Sequence, residues 1–190
     1  MRTTLVALSA GLLLAGCALA PQQPAPAREG LRDFTIEARF ALRVTRPEQP
    51  PESSSGRLAW EHRGERDRIL VANPLGAGLA EIDSDPGGAR LRTADGQVRE
   101  AASPDDLLET VTGQRLPVRR LSGWLLGRGG PAARIELDAL GRPVRLEESG
   151  WRIDYVYGND DAQALPSGVT LARPGEIELR LRIEDWREAE

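Results

Sequence analysis

The sequence predicts a mainly β fold of the α+β class, an antiparallel sheet curved around a helical insert, and three observations predict it. Apolar and charged residues alternate on either side of the middle of the chain, most plainly where Ile177, Leu179, Leu181 and Ile183 interleave with Glu178, Arg180 and Arg182. Between those runs, from Ser103 to Gly127, the apolar spacing changes to that of a helix. The chain has a single cysteine, so no disulfide can brace an open sheet, which must either pack on a second sheet or curl into a barrel to protect its edges.

The elements follow in order. Met1 and Arg2 precede an apolar stretch, Leu5 to Leu14, of roughly 10 residues, where a membrane-spanning helix needs about 20. It ends in Leu14-Ala15-Gly16-Cys17. Small residues at 15 and 16 let a peptidase reach the backbone, and the Cys17 thiol is the nucleophile that takes a diacylglyceryl group. An ordinary secretory cleavage site would want Ala-x-Ala instead. Residues 1–16 are therefore read as a lipoprotein signal peptide, with Cys17 as the lipidation site. Ala18, not Asp, follows the cysteine, which in Gram-negative sorting logic favours export to the outer membrane with the domain facing the periplasm. The Pro/Gln/Ala-rich stretch from Ala18 to Ala27 reads as an extended tether, so that 17–30 is linker and 31–190 is one folded domain.

Phe34, Ile36, Ala38, Phe40, Leu42 and Val44 share one side of a first strand, opposite Thr35, Glu37, Arg39 and Arg43. Pro47 to Ser55 reads as a flexible loop, and Leu58 and Trp60 against Arg57 and Glu61 as a second strand. Short strands at Arg68 to Ala72, Gly78 to Asp83, Ala89 to Thr93 and Gln97 to Glu100 form a meander around the turn runs Ser84 to Gly88 and Ala94 to Gly96. Ser103-Pro104-Asp105-Asp106 supplies a cap, a first-position proline and first-turn acids, ahead of Leu107, Leu108 and Val111 with Gly113 as the stop. A second helix starts at Pro117 with Val118, Leu121, Trp124 and Leu125 on one face and Gly127 at its end. Strands then resume, with Trp151, Ile153, Tyr155 and Tyr157 alternating with Arg152 and Asp154.

Chemistry is sparse. The net charge is -4, and the basic residues, all arginine, are interleaved with acids, which excludes a nucleic-acid footprint. His62, the one histidine, lies between Glu61 and Arg63 at a strand end and reads as a surface residue. There is no Gly-x-Ser-x-Gly elbow, no paired-histidine metal motif and no phosphate-cradling loop. Asp105-Asp106 is explained by capping, and Asp160-Asp161 by a polar loop. The expectation is a protein that is not an enzyme, with no metal or cofactor beyond the covalent N-acyl diacylglyceryl on Cys17, acting as a monomer. Asn73-Pro74-Leu75-Gly76 fits a type I turn with Leu75 at its tip. Either the turn folds back and packs Leu75 on the core, or Leu75 is an apolar finger that dips into lipid.

Several segments together resemble the LolB family of outer-membrane lipoproteins. They are Arg39-Phe40-Ala41-Leu42, Gly56-Arg57-Leu58-Ala59-Trp60, Ala72-Asn73-Pro74-Leu75-Gly76, Thr112-Gly113 and Leu116-Pro117. They continue through Leu121 with Trp124-Leu125-Leu126-Gly127, Gly141-Arg142-Pro143-Val144-Arg145-Leu146, Gly150-Trp151 with Tyr155, and Ile183-Glu184-Asp185-Trp186. The resemblance implies an incompletely closed antiparallel β-barrel of LolA/LolB type, with helices covering its mouth and an apolar cavity for acyl chains. It implies a receptor that accepts lipoproteins from a LolA-type periplasmic carrier and inserts them into the outer membrane. It also assigns Asn73, Pro74, Leu75 and Gly76 to the membrane-insertion loop, with Leu75 placing cargo in the bilayer. Phe34, Phe40, Trp60, Tyr155 and Leu179 are the acyl-cavity candidates, although alternation alone does not separate cavity from core. Only Ala27 to Asp33 is free for the amphipathic helix that often precedes the first strand in this family, and the loop Pro47 to Ser55 is longer and richer in proline than usual. The competing readings are a lipoprotein hydrolase, disfavoured by the missing nucleophile motif, and a structural envelope lipoprotein scaffolding an outer-membrane complex.

Overall fold

The computed structural model describes residues 26–113 and 116–189. Cys17, the expected signal segment and most of the proline-rich stretch lie outside the described residues. Within them, eleven strands form one sheet in the order β6-β5-β4-β3-β2-β1-β11-β10-β9-β8-β7. The strands are β1 (Phe34–Val44), β2 (Glu52–Arg63), β3 (Arg66–Ala72), β4 (Gly78–Asp85), β5 (Gly88–Thr93), β6 (Val98–Ala101), β7 (Arg134–Leu137), β8 (Pro143–Glu148), β9 (Trp151–Val156), β10 (Gly168–Arg173) and β11 (Ile177–Glu188). Helices α1 (Pro104–Thr112) and α2 (Val118–Leu125) lie in the chain between the two edge strands, β6 and β7. All neighbouring strands are antiparallel.

The edge strands do not pair with each other, so the sheet is an open barrel. The helical insert spans the gap. Helix α1 packs on β5, β6 and α2, while Trp124 of α2 donates its indole N–H to Glu148 of β8 at 2.7 Å. The predicted α1 cap is present: Ser103 Oγ accepts from the Asp106 N–H at 3.1 Å, and the Gly113 N–H closes on the Glu109 carbonyl. Gly127 ends α2 with φ at +72°, and a Cβ there would lie 2.5 Å from the Pro143 ring, so only glycine fits both the turn and the neighbour.

The inner face of the sheet and the helices share one core. Ile36, Trp60, Ile69, Ile82, Leu91, Leu146, Ile153, Val169, Leu171 and Leu181 meet Leu107, Val118, Leu121, Trp124 and Leu125 there. The outer face is laced with arginine–carboxylate pairs such as Arg145–Asp154 and Arg187–Glu37. Residues before β1 turn against the body: the Arg28 N–H donates to Gln163 O at 3.0 Å, Arg128 donates to the carbonyls of Arg28 and Glu29, and Leu31 is buried. That stretch is a turn and not a helix.

Three expectations are corrected. The stretch Pro47 to Ser55 is only partly loop, because β2 begins at Glu52 and its serines pair with the far end of β1, Ser53 with Arg43 and Ser55 with Ala41. His62 is half-buried and not freely exposed: its ring lies tilted against Phe34 with centroids 5.2 Å apart, and its Nδ1 lies 2.7 Å from Asp67 Oδ1. The second half of the sheet also holds β7, β8 and β10, which alternation did not single out.

Candidate functional site

The inner face divides into a filled part and a half-covered part. In the filled part, Phe34 is fully buried between Trp60 and Trp186, with ring centroids 5.7 and 5.3 Å away. Each polar edge there is satisfied. Trp60 Nε1 donates to Asp67 Oδ1 at 2.8 Å, and Trp186 Nε1 to the Pro166 carbonyl at 2.8 Å. On the other flank, Tyr155 lies buried beneath α2, its hydroxyl donating to the Trp124 carbonyl at 2.6 Å. Burial raises the Tyr155 phenol well above its ordinary range, helped by nearby Tyr157 and Asp154, so it acts as a neutral donor.

The half-covered part runs across the sheet at the other end of β1. Leu179 on β11 pairs with Leu42 on β1; Phe40, two residues earlier, pairs with Gly56 on β2; and Leu58 on β2 pairs with Val71 on β3, which pairs with Ala80 on β4. These side chains pack against the core yet remain partly open. Gly56 is required where Phe40 crosses β2. A Cβ at that position would lie 2.8 Å from Phe40 Cε1 and 2.2 Å from the Ala72 carbonyl oxygen.

The β3–β4 turn springs from that crossing. Asn73 organises it: its Oδ1 accepts from the Leu75 and Ala77 amides at 2.9 and 3.0 Å, its carbonyl accepts from Gly76, and its own N–H donates to Ala77 O. With its backbone satisfied in this way, the turn holds Leu75 outward, 95% exposed. The turn does not fold back to pack Leu75 on the core.

The five cavity candidates therefore share one face but not one environment. Phe40 and Leu179 lie in the half-covered row, while Phe34, Trp60 and Tyr155 are buried with their partners. Leu42, Leu58, Val71 and Gly56 belong to the row and were not among the cavity candidates named from sequence. The signal for them was the small-residue run Ser53-Ser54-Ser55-Gly56, which lies opposite Leu42 and Phe40 instead of forming a loop. Among the described residues, no cluster of histidine, cysteine and acidic side chains is placed to hold a metal ion, and no helix is long and apolar enough to cross a membrane.

Comparison with known proteins bears on this geometry. Residues 32–186 match the family model described as outer membrane lipoprotein LolB. An outer-membrane lipoprotein LolB of Dechloromonas aromatica is 55% identical over 176 residues, covering 93% of each chain. Its counterpart in Halorhodospira halophila is 39% identical over 195 residues, covering 96% of this chain and 93% of that one. The crystal structure of a LolA superfamily protein from Nitrosomonas europaea shares the fold at 12% identity, with a TM-score of 0.51 over 86% of this chain and 90% of that one. An open antiparallel sheet around a helical insert and a match through nearly the whole folded body lead to one conclusion: the chain belongs to the LolB family of outer-membrane lipoproteins.

Proposed function

We propose that this domain accepts acylated lipoproteins from a LolA-type periplasmic carrier on its half-covered apolar face and places them in the outer membrane. The N-acyl diacylglyceryl group on Cys17 holds the chain to that membrane. The observation that carries the reading is Leu75, 95% exposed on a turn that rises from the edge of the Phe40–Leu58–Val71 row. A leucine so presented in water is unfavourable, and burial in lipid recovers about 1.5 to 3 kcal/mol.

An acyl chain of about 14 methylenes costs on the order of 11 kcal/mol to expose to water, at about 0.8 kcal/mol per methylene. The hand-off therefore runs from one apolar surface directly to another. No nucleotide is needed if the receiver binds more tightly, since about 1.4 kcal/mol already gives a tenfold bias. Phe40, Leu179, Leu42, Leu58 and Val71 form the receiving surface, and the open edge between β6 and β7 leaves it room to adapt.

The test is Leu75→Glu in a two-step assay with a loaded carrier and liposomes. The variant is expected to accept cargo from the carrier and fail to deliver it. Delivery equal to that of the unmodified protein would remove Leu75 from the mechanism.

A further inference from the structure

The outer face of β3 to β6 changes character along the strands as it approaches the Leu75 turn. Farthest from the turn, Arg68, Asp83, Arg90 and Glu100 lie side by side in register. All four are engaged in ion pairs: Arg68 with Glu81 and, at 3.8 Å, with Asp83, and Arg90 with Glu100 at 2.6 Å. One pleat repeat nearer the turn, about 6.7 Å on, the row is Leu70, Glu81, Arg92 and Val98. Leu70 is 44% and Val98 51% exposed. One repeat further, Ala72, the bulged Leu79 and Ala94 carry no charge, and Leu79 is 46% exposed. Leu75 lies beyond them.

We propose that this outer face is a lipid-contact surface, on which Leu79, Leu70 and Val98 enter the bilayer interface alongside Leu75. The proposal rests on the membrane-delivery reading above and extends it from one side chain to a face. The occupant is a bilayer because charge falls row by row in a single direction, from four charged side chains to two to none, as it does across an oil–water boundary. A protein partner would instead meet an apolar centre ringed by a polar rim. Arg92 fits the same picture. It has no carboxylate partner among the described residues and stands in the mixed row, where a long side chain can lie along apolar neighbours and reach a lipid phosphate.

Two charges bound the surface. Arg57, next to Ala72 on β2, is already paired with Glu184 at 3.0 Å. Asp95, in the β5–β6 turn, accepts from the Thr93 hydroxyl and the Gln97 amide, which hold its carboxyl below the ordinary range against the effect of burial. An ionised Asp95 keeps its turn among the headgroups, so the β3–β4 hairpin enters first.

The experiment uses the full-length acylated protein in vesicles of phosphatidylethanolamine and phosphatidylglycerol. An environment-sensitive NBD group is attached at Leu75→Cys, Leu79→Cys, Leu70→Cys, Val98→Cys or Asp83→Cys. Lipids bearing a shallow nitroxide are expected to quench the first four and leave the Asp83 site dark to them. Quenching at 75 alone overturns this proposal and leaves the delivery reading standing; no quenching even at 75 overturns both. In the delivery assay, Leu79→Glu combined with Val98→Glu is expected to slow transfer to vesicles about tenfold, and an unchanged rate overturns the proposal.

Discussion

The Tyr155 hydroxyl donates to the Trp124 carbonyl at 2.6 Å, so a side chain of β9 grips the main chain of α2 while the indole of the same tryptophan donates to Glu148 on β8. These two contacts fasten the helical insert to the half of the sheet that ends in β7. Tyr155→Phe is expected to cost about 1 kcal/mol, the net value of one buried hydrogen bond. The cost stays modest because Trp124 O also accepts from the Gly127 amide at 3.0 Å. Urea denaturation of the two proteins measures it.

Glu148 supplies a pH dependence. Burial opposes its charge, but hydrogen bonds from Trp124 Nε1 and the Gly130 amide, with the Arg120 guanidinium nearby, outweigh burial and hold its carboxyl below the ordinary 4.5. A lowered native value means that Glu148 stabilises the fold fully above about 4.5 and loses that contribution as the pH falls through the native value. Thermal melts of the parent protein and Glu148→Gln should differ by a constant amount at neutral pH and converge on acidification. A gap that stays constant into strong acid contradicts the assignment.

Gly56→Val should be among the more damaging single changes in the sheet. The added atoms meet a backbone oxygen at 2.2 Å and the Phe40 ring at 2.8 Å, and neither can yield without moving β3 or the row. Overpacking of this kind costs about 1 to 3 kcal/mol, and the loss should appear in chemical denaturation together with a changed near-ultraviolet spectrum.

Leu75→Glu should leave stability within about 0.5 kcal/mol of the parent, as expected of a side chain that touches nothing. A matching melt therefore separates lost delivery from lost fold.

Phe40→Glu combined with Leu179→Glu should abolish displacement of a hydrophobic dye by fatty acid, because both carboxylates would stand in the half-covered row. Phe34 is not a useful probe of binding. It is fully buried among Trp60, His62 and Trp186, and its truncation to alanine would cost about 3 to 5 kcal/mol of stability, which confounds any effect on binding.

Strands with one face in and one face out were readable, and β1, β9 and β11 are such strands. Strand β10 was not, because Ala172 on its second face is buried along with Val169 and Leu171, which breaks the alternation. The edge strand β7 is exposed throughout and has no inner side to betray it. The start of β2 carries only Glu and Ser, so nothing local marks it as a strand; its pairing with β1 makes it one. The partial burial of His62 goes with Asp67 across the hairpin, which its charged sequence neighbours conceal. The Leu75 turn was legible because Asn, Pro and Gly each leave a distinct backbone signature, yet its outward direction was not, since spacing does not tell a leucine which way to point.

The unpaired edges have a mechanical meaning. In a closed barrel the girth is set by strand number and stagger, and no side chain can change it. Here the circumference passes through the contact between α1 and α2, so no backbone ladder fixes the girth at that point. On the proposed function, a wall closed there by side-chain packing alone would suit acyl guests of unequal bulk.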